Sequence, residues 1–172
     1  MSEIVIEVIE ADLRDALHAE AVLRLLDEYA RHPMGGGMGL PNETRNVLIE
    51  KMQAHPCVFA LLAYEGEQAV GVAICVEGFS SFAAKPIMNV HDLNVAKTMQ
   101  NKGIGRRLLE AVEAKAREHG CCALSLEVRG NNTGAQHLYR SFGFHVGGER
   151  IEPAEAYMYW RKPLDEVGDD SR

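Results

Sequence analysis

At 172 residues the chain has room for one domain with a substantial core, and 47% hydrophobic with 25% charged residues is the make-up of a soluble globular protein. A net charge of −7 speaks against a general nucleic-acid binder; it is compatible with a cationic partner, although solubility alone accounts for an acidic surface. No apolar run suits a membrane span, and the start at Met1-Ser2-Glu3-Ile4 lacks the charged and apolar regions of a secretion signal, so the expectation is a cytoplasmic protein without a membrane partner.

In chain order, Ile4 to Ile9 reads as a strand, and about Asp12 to Arg31 as a helix with Val22, Leu25, Leu26 and Tyr29 along its apolar stripe. Pro33 ends that helix. Met34 to Pro41, with three consecutive glycines, reads as a mobile loop able to close over a substrate. Asn42 is placed to cap a second helix that carries Val47, Leu48 and Met52 and stops before Pro56. Cys57–Tyr64 and Ala69–Val76 are strand runs around a Glu65-Gly66-Glu67-Gln68 hairpin signal, and Glu77 to Pro86 reads as irregular.

The central stretch follows. Ile87 to Val95 alternates apolar and polar residues like a partly buried strand, and from Ile104 the apolar positions Leu108, Ala111, Val112 and Ala116 keep helical spacing. Gly103 and Gly105 therefore sit where a loop becomes the first turn of a helix. Free backbone N–H groups and the positive helix end gather there, and Lys102, Arg106 and Arg107 add charge. A phosphate-bearing ligand belongs at this point. It is neither the dinucleotide fingerprint, whose third glycine is here Leu108, nor the Walker loop, because Arg106 and Arg107 follow Gly105.

Beyond it, Ala123 to Val128 reads as a strand, and Asn131-Asn132-Thr133 caps a helix carrying Ala135, Leu138, Tyr139 and Phe142, with Gly143 at its end. Phe144–Arg150 and Ala154–Lys162 read as two last strands. Residues 1–163 are thus expected to form one domain and 164–172 a disordered acidic tail. Cys57, Cys75, Cys121 and Cys122 match no zinc or C-x-x-C spacing and read as buried or partly buried free thiols; the seven histidines show no ligand spacing either, so no metal is expected.

Two motifs carry a resemblance. Gln100-Asn101-Lys102-Gly103-Ile104-Gly105 meets every position of R/Q-x-x-G-x-G/A, and Asn132, Ala135, Leu138, Tyr139, Gly143 and Phe144 meet N-x-x-A-x-x-L-Y followed by G-F. In that order, separated by a helix and a strand, they resemble the GCN5-related N-acetyltransferase (GNAT) superfamily over roughly Ile4 to Lys162. The fold this implies is mixed α/β (α+β): a mostly antiparallel, centrally splayed sheet of six to seven strands flanked by about four helices. The activity it implies is acetyl transfer from acetyl coenzyme A, as co-substrate, to a primary amine by direct attack. A small molecule, polyamine-like or an antibiotic amine, is the expected acceptor. A protein amine, or a coenzyme A-binding module without transfer, are the alternatives, and the intact glycine loop and Tyr139 speak against the last. Members of the superfamily are often dimers, so a homodimer is one expectation.

By position, the resemblance places the pantetheine arm along Leu93, Asn94 and Val95. It places the pyrophosphate on Gln100, Asn101, Lys102, Gly103, Ile104 and Gly105 with Arg106, and a further cofactor contact at Asn132. Tyr139 becomes both a cofactor contact and the proton donor to the departing thiolate. Where related diamine acetyltransferases have Glu-Asp, this chain has His91-Asp92. In a regular strand His91 shares a side with Leu93 and Val95 and Asp92 faces away, unless a bulge intervenes. Imidazole, with an unperturbed pKa of about 6.5, can take the amine proton, which makes His91 the second catalytic candidate. As bare residues, Tyr139 would be a core tyrosine and Glu127 and Arg107 surface charges.

Overall fold

One sheet in the order β1–β2–β3–β4–β5 organises the described residues, 5–145 of a computed structural model. β1 (Ile6–Glu10), β2 (Val58–Glu65), β3 (Gln68–Ser80) and β4 (Lys85–Val95) run antiparallel to their neighbours, and β5 (Leu124–Leu126) lies parallel to β4. Helices α1 (Ala16–Arg31), α2 (Asn42–Ala54), α3 (Ile104–Glu118) and α4 (Thr133–Phe142) complete the expected mixed architecture. The strands expected from Phe144–Arg150 and Ala154–Lys162 lie, but for Phe144 and His145, outside the described residues, as does the acidic tail.

The sheet is covered on both faces, which is why β2 and β3 read as nearly continuous apolar runs. Leu61 and Ala63 of β2 join Val70, Ala73, Met88, Leu108, Leu109 and Val112 in one core, under α3. Their neighbours Ala60 and Leu62 join Val22, Leu25, Met52 and Val72 in the other, under α1 and α2. Val22, Leu25, Leu62, Leu108 and Val112 are fully buried, and each contributes about 1.5–3 kcal/mol by leaving water.

Element boundaries differ slightly from the sequence expectation. The first helix begins at Ala16, not Asp12, because the Asp15 carboxylate accepts the N–H groups of Leu17 and His18 and so caps it there. Asn42 does not cap the second helix; it is its first residue, behind Pro41, and no side chain caps that end. Glu77 to Pro86 is no irregular segment: β3 runs on to Ser80 and β4 starts at Lys85, giving a long hairpin. Alternation fails there as a signal because both faces of the hairpin end are largely exposed, with Phe79 and Phe82 among the exposed large apolar residues. Cys75 is buried as expected, whereas Cys57 and Cys122 are exposed. Arg107 is not merely solvated, since it donates to the Ile6 carbonyl at 3.3 Å and ties α3 to β1.

Two features of β4 position the site. Its pairing with β5 is short, Met88 with Leu124, Asn89 with Ser125 and Val90 with Leu126, and stops at Val90. Past that point, among the described residues, β4 continues to Val95 with β3 on one side and no strand on the other. The second feature falls at the same place. Ile74 of β3 pairs with Asp92 and the next residue, Cys75, pairs with Val90, so His91 is the extra residue of a β-bulge.

Candidate active site

The bulge resets the alternation of β4. Met88 and Val90 belong to the core under α3, and so do Leu93 and Val95, although a regular strand would turn those two to the opposite face. His91 is consequently exposed and does not share a face with Leu93 and Val95, which corrects the expectation drawn from a regular strand. Asp92 is half-buried, and Asn94 points to α1, donating from Nδ2 to the Leu25 carbonyl at 3.0 Å.

The open edge of β4 leads into the glycine loop. Gln100 Nε2 donates to the Val95 carbonyl at 3.1 Å, folding the loop against the strand end, and Lys102 Nζ lies 3.2 Å from Met99 Sδ. Asn101 at φ +62 and Gly103 at φ +78 take left-handed conformations that deliver the chain into α3. The first helical hydrogen bond is Arg107 N–H to the Gly103 carbonyl at 3.1 Å, and no side chain caps the helix. The N–H groups of Ile104, Gly105 and Arg106 therefore have no helical acceptor. Arg106 leans toward α4: it meets Glu110 at 3.3 Å and the Ser141 carbonyl at 3.5 Å, and its guanidinium carbon lies 5.4 Å from the centre of the Phe142 ring.

Gly105 also packs against a neighbouring helix. A side-chain carbon there would stand 3.0 Å from Leu138 Cδ2 and 4.0 Å from Val95 Cγ2. The missing side chain makes room for α4, and Gly105 also lines the larger cavity described below. On α4, Asn132 Oδ1 accepts the Ala135 N–H at 3.2 Å as the expected cap.

Two adjoining cavities result. The larger, about 400 Å³, runs from Leu93, Asn94 and Val95 past Gln100, Asn101 and Gly103 to Arg106 and the face of α4 with Asn132, Leu138 and Tyr139. A smaller one, about 250 Å³, is lined by His91, Asp92, Glu127, Arg129 and Val90 among others. Leu93, Asn132, Ala135, Tyr139, Tyr29 and Met34 line both, so they mark the junction.

The ionisable groups at that junction are perturbed. Burial, with the Tyr29 charge adding to it, pushes the Tyr139 hydroxyl up to about 12, so it stays protonated through the neutral and mildly alkaline range. Burial also raises the Tyr29 hydroxyl, with Asp92 acting in the same sense and Arg129 against it. Asp92 is held above the ordinary carboxylate range by burial, partly offset by His91.

Sequence reasoning took Tyr29 as part of an apolar stripe, turned Asp92 away unless a bulge intervened, and read Glu127 as surface charge; Glu127 is exposed, as read, and lines the smaller cavity. The bulge brings Asp92 in. The pairing of β5 with β4 sets Glu127 at the smaller cavity. No signal in the sequence marks Tyr29, because its place at both cavities depends on how α1 packs on the sheet.

The residues present fit coenzyme A on this chain's own geometry. Among the described residues there is an unpaired strand edge for an amide-bearing arm, three helix N–H groups for a pyrophosphate, and a cavity lined by both. The fold and this site define an acyl-coenzyme A-dependent transferase. Residues 18–144 match the model of the acetyltransferase (GNAT) family, and the chain belongs to that family of acetyl-CoA-dependent N-acetyltransferases. It is 30% identical over 154 residues to the IAA acetyltransferase of Azospirillum brasilense, covering 88% of this chain and 95% of that one. It is 36% identical over 109 residues to the N-alpha-acetyltransferase RimI of Mycobacterium tuberculosis, covering 59% of this chain and 67% of that one. Among solved structures, AAC(6')-Iy in complex with a bisubstrate analogue, CoA-S-monomethyl-acetylneamine, superposes with a TM-score of 0.71 over 93% of this chain and 99% of that one. At 17% identity that likeness bears on the fold alone.

Proposed function

We propose that the chain acetylates a primary amine of a small molecule, polyamine-like or an antibiotic amine, at the junction of the two cavities. The observation that carries this reading is that Tyr139 and Leu93 line both cavities, so a cofactor in one and an amine in the other meet beside a proton donor. Leu93, Asn94 and Val95 would hold the pantetheine arm along the open strand edge. Gln100, Asn101, Lys102, Gly103, Ile104, Gly105 and Arg106 would hold the pyrophosphate, with Asn132 as a further contact. Bound there, acetyl coenzyme A supplies an activated thioester whose carbonyl carbon a neutral amine can attack.

The smaller cavity carries two carboxylates, Asp92 and Glu127, against one guanidinium, Arg129, which favours a cationic acceptor. A volume of about 250 Å³ suits a small amine or one arm of a larger one. His91, open at the bulge, takes the amine proton at a ring nitrogen. The Tyr139 Oη, at the junction of the two cavities, holds its proton ready for the departing sulfur. Holding both reactants in line supplies much of the acceleration.

The test is thiol release from acetyl coenzyme A with putrescine, spermidine, kanamycin and a peptide bearing a free amino terminus, with mass analysis of the products. Acetylated small amine supports the reading. Acetylated peptide alone moves the acceptor to protein amines, and coenzyme A binding without any product leaves a binding module.

A further inference from the structure

The glycine-rich segment after α1, expected to be mobile, is hydrogen-bonded along its length. Gly35 N–H donates to the His32 carbonyl (2.8 Å), Gly37 N–H to those of Ala30 (2.9 Å) and His32 (3.1 Å), and Gly39 N–H to that of Ala30 (3.2 Å). Met34 N–H reaches His32 Nδ1 at 3.2 Å. Folded back in this way, the segment satisfies carbonyls at the end of α1 that have no helical donor. Its glycines are required by shape. Gly36, Gly37 and Gly39 sit at φ +118, +85 and +76, and a side-chain carbon on Gly35 would stand 2.0 Å from the Tyr29 carbonyl oxygen.

Asp27 fastens the far end. At 8% exposure it is the buried charged side chain of the described residues. Oδ1 accepts the Leu40 N–H at 2.9 Å, while Oδ2 meets Arg31 Nε at 2.9 Å and Arg45 Nη1 of α2 at 2.6 Å. One carboxylate thus joins α1, the end of the loop and the start of α2. Removing a partner from a buried carboxylate is strongly unfavourable, so this arrangement resists opening. Along the wall it holds, Met34 lines both cavities, and Gly35 backs directly onto Tyr29, which does the same.

We infer that the His32–Pro41 loop is a fixed wall of the acceptor site, and that Asp27 is the positioning residue that sets acceptor affinity by holding Met34 and Tyr29 in place. This rests on the acceptor cavity assigned above. Asp27 lines neither cavity, so its effect passes through the loop.

Two variants test it. Asp27→Asn keeps an acceptor for the Leu40 N–H and removes the charge that two guanidiniums share; Arg45→Gln cuts the same knot from α2 and leaves the carboxylate in place. Steady-state kinetics use the amine that wild type acetylates best among putrescine, spermidine and kanamycin. The KM for the amine should rise about tenfold in both variants, while that for acetyl coenzyme A stays within about twofold. Equal changes in the two constants, or no change, overturn the inference. Amide hydrogen exchange is the second readout. The Gly37, Gly39 and Leu40 amides of wild type should be protected without ligand and lose protection in both variants, with α3 unaffected. If they gain protection only when coenzyme A and amine are added, the loop is a lid and the inference falls. Should no amine be acetylated, the functional reading fails by itself, and the exchange result still decides between wall and lid.

Discussion

A side-chain carbon on Gly105 would stand 3.0 Å from Leu138 Cδ2, so the second glycine of the cofactor loop is packed against the leucine of the α4 motif. The two motifs are halves of one contact. One gives α3 a bare first turn, and the other fills the space with α4, which then carries Asn132 and Tyr139 to the cavities.

Gly105→Val should therefore weaken coenzyme A binding by displacing α4, at an overpacking cost of about 1–3 kcal/mol. Calorimetric titration and thermal melting of the purified variant check this, and both affinity and Tm should fall. Gly105→Ala should lie between valine and wild type. A valine variant with unchanged affinity would separate the two motifs again.

Tyr139→Phe keeps the ring, which lies 5.9 Å from that of Phe144, and removes the hydroxyl. Turnover should drop by about 10²-fold with little change in the KM for acetyl coenzyme A, if proton donation to sulfur limits the rate. Because the hydroxyl is pushed up to about 12, wild type should show no alkaline limb from its ionisation below about pH 10. Wild-type turnover in the phenylalanine variant would return Tyr139 to the core.

Much of this was legible beforehand, and the reasons are local. Gly103 and Ile104 mark a helix start by backbone chemistry alone, and Asn132 announces its cap. Leu108 and Val112 reveal a buried face by spacing. What could not be read was relational. The bulge at His91 arises because Ile74 and Cys75 pair across a skipped residue, and no property of His91 encodes that. Tyr29 and Asp27 sit on an ordinary amphipathic helix, and what they touch, the cavities for one and the Leu40 N–H with Arg45 for the other, depends on tertiary packing. The triple glycine reads as flexible by composition, yet its conformations are those that let a loop fold tightly onto the end of a helix.

Asp27 also sets an acid limit on stability. The Leu40 N–H bond, with Arg31 and Arg45, holds its carboxyl below the ordinary carboxylate value. A lowered folded-state pKa gives stability that is present above the unfolded value and is lost as pH falls through the folded one. Asp27→Asn should thus melt at lower temperature than wild type at pH 7, and the gap should close below about pH 4. Parallel melting curves across that range check it; a gap that persists in acid would mean that the carboxylate charge is not what stabilises the loop.

The last prediction concerns the pair at the bulge. A free amine is mostly protonated at neutral pH, so the acceptor must shed a proton before or during attack. His91 and Asp92 both line the smaller cavity, and the structure gives them different surroundings: His91 is exposed, Asp92 half-buried among α1 and β4. An exposed imidazole can pass a proton to solvent. A half-buried carboxylate is better suited to hold a cation, and ionising it becomes easier when that cation is present. His91→Gln should lower kcat and remove the acidic limb of the kcat/KM profile, with little change in the KM for the amine. Asp92→Asn should instead raise that KM and leave the acidic limb where it was. Profiles of all three proteins from about pH 5.5 to 9 decide it. If the limb survives in His91→Gln and vanishes in Asp92→Asn, the roles are exchanged and the carboxylate is the base.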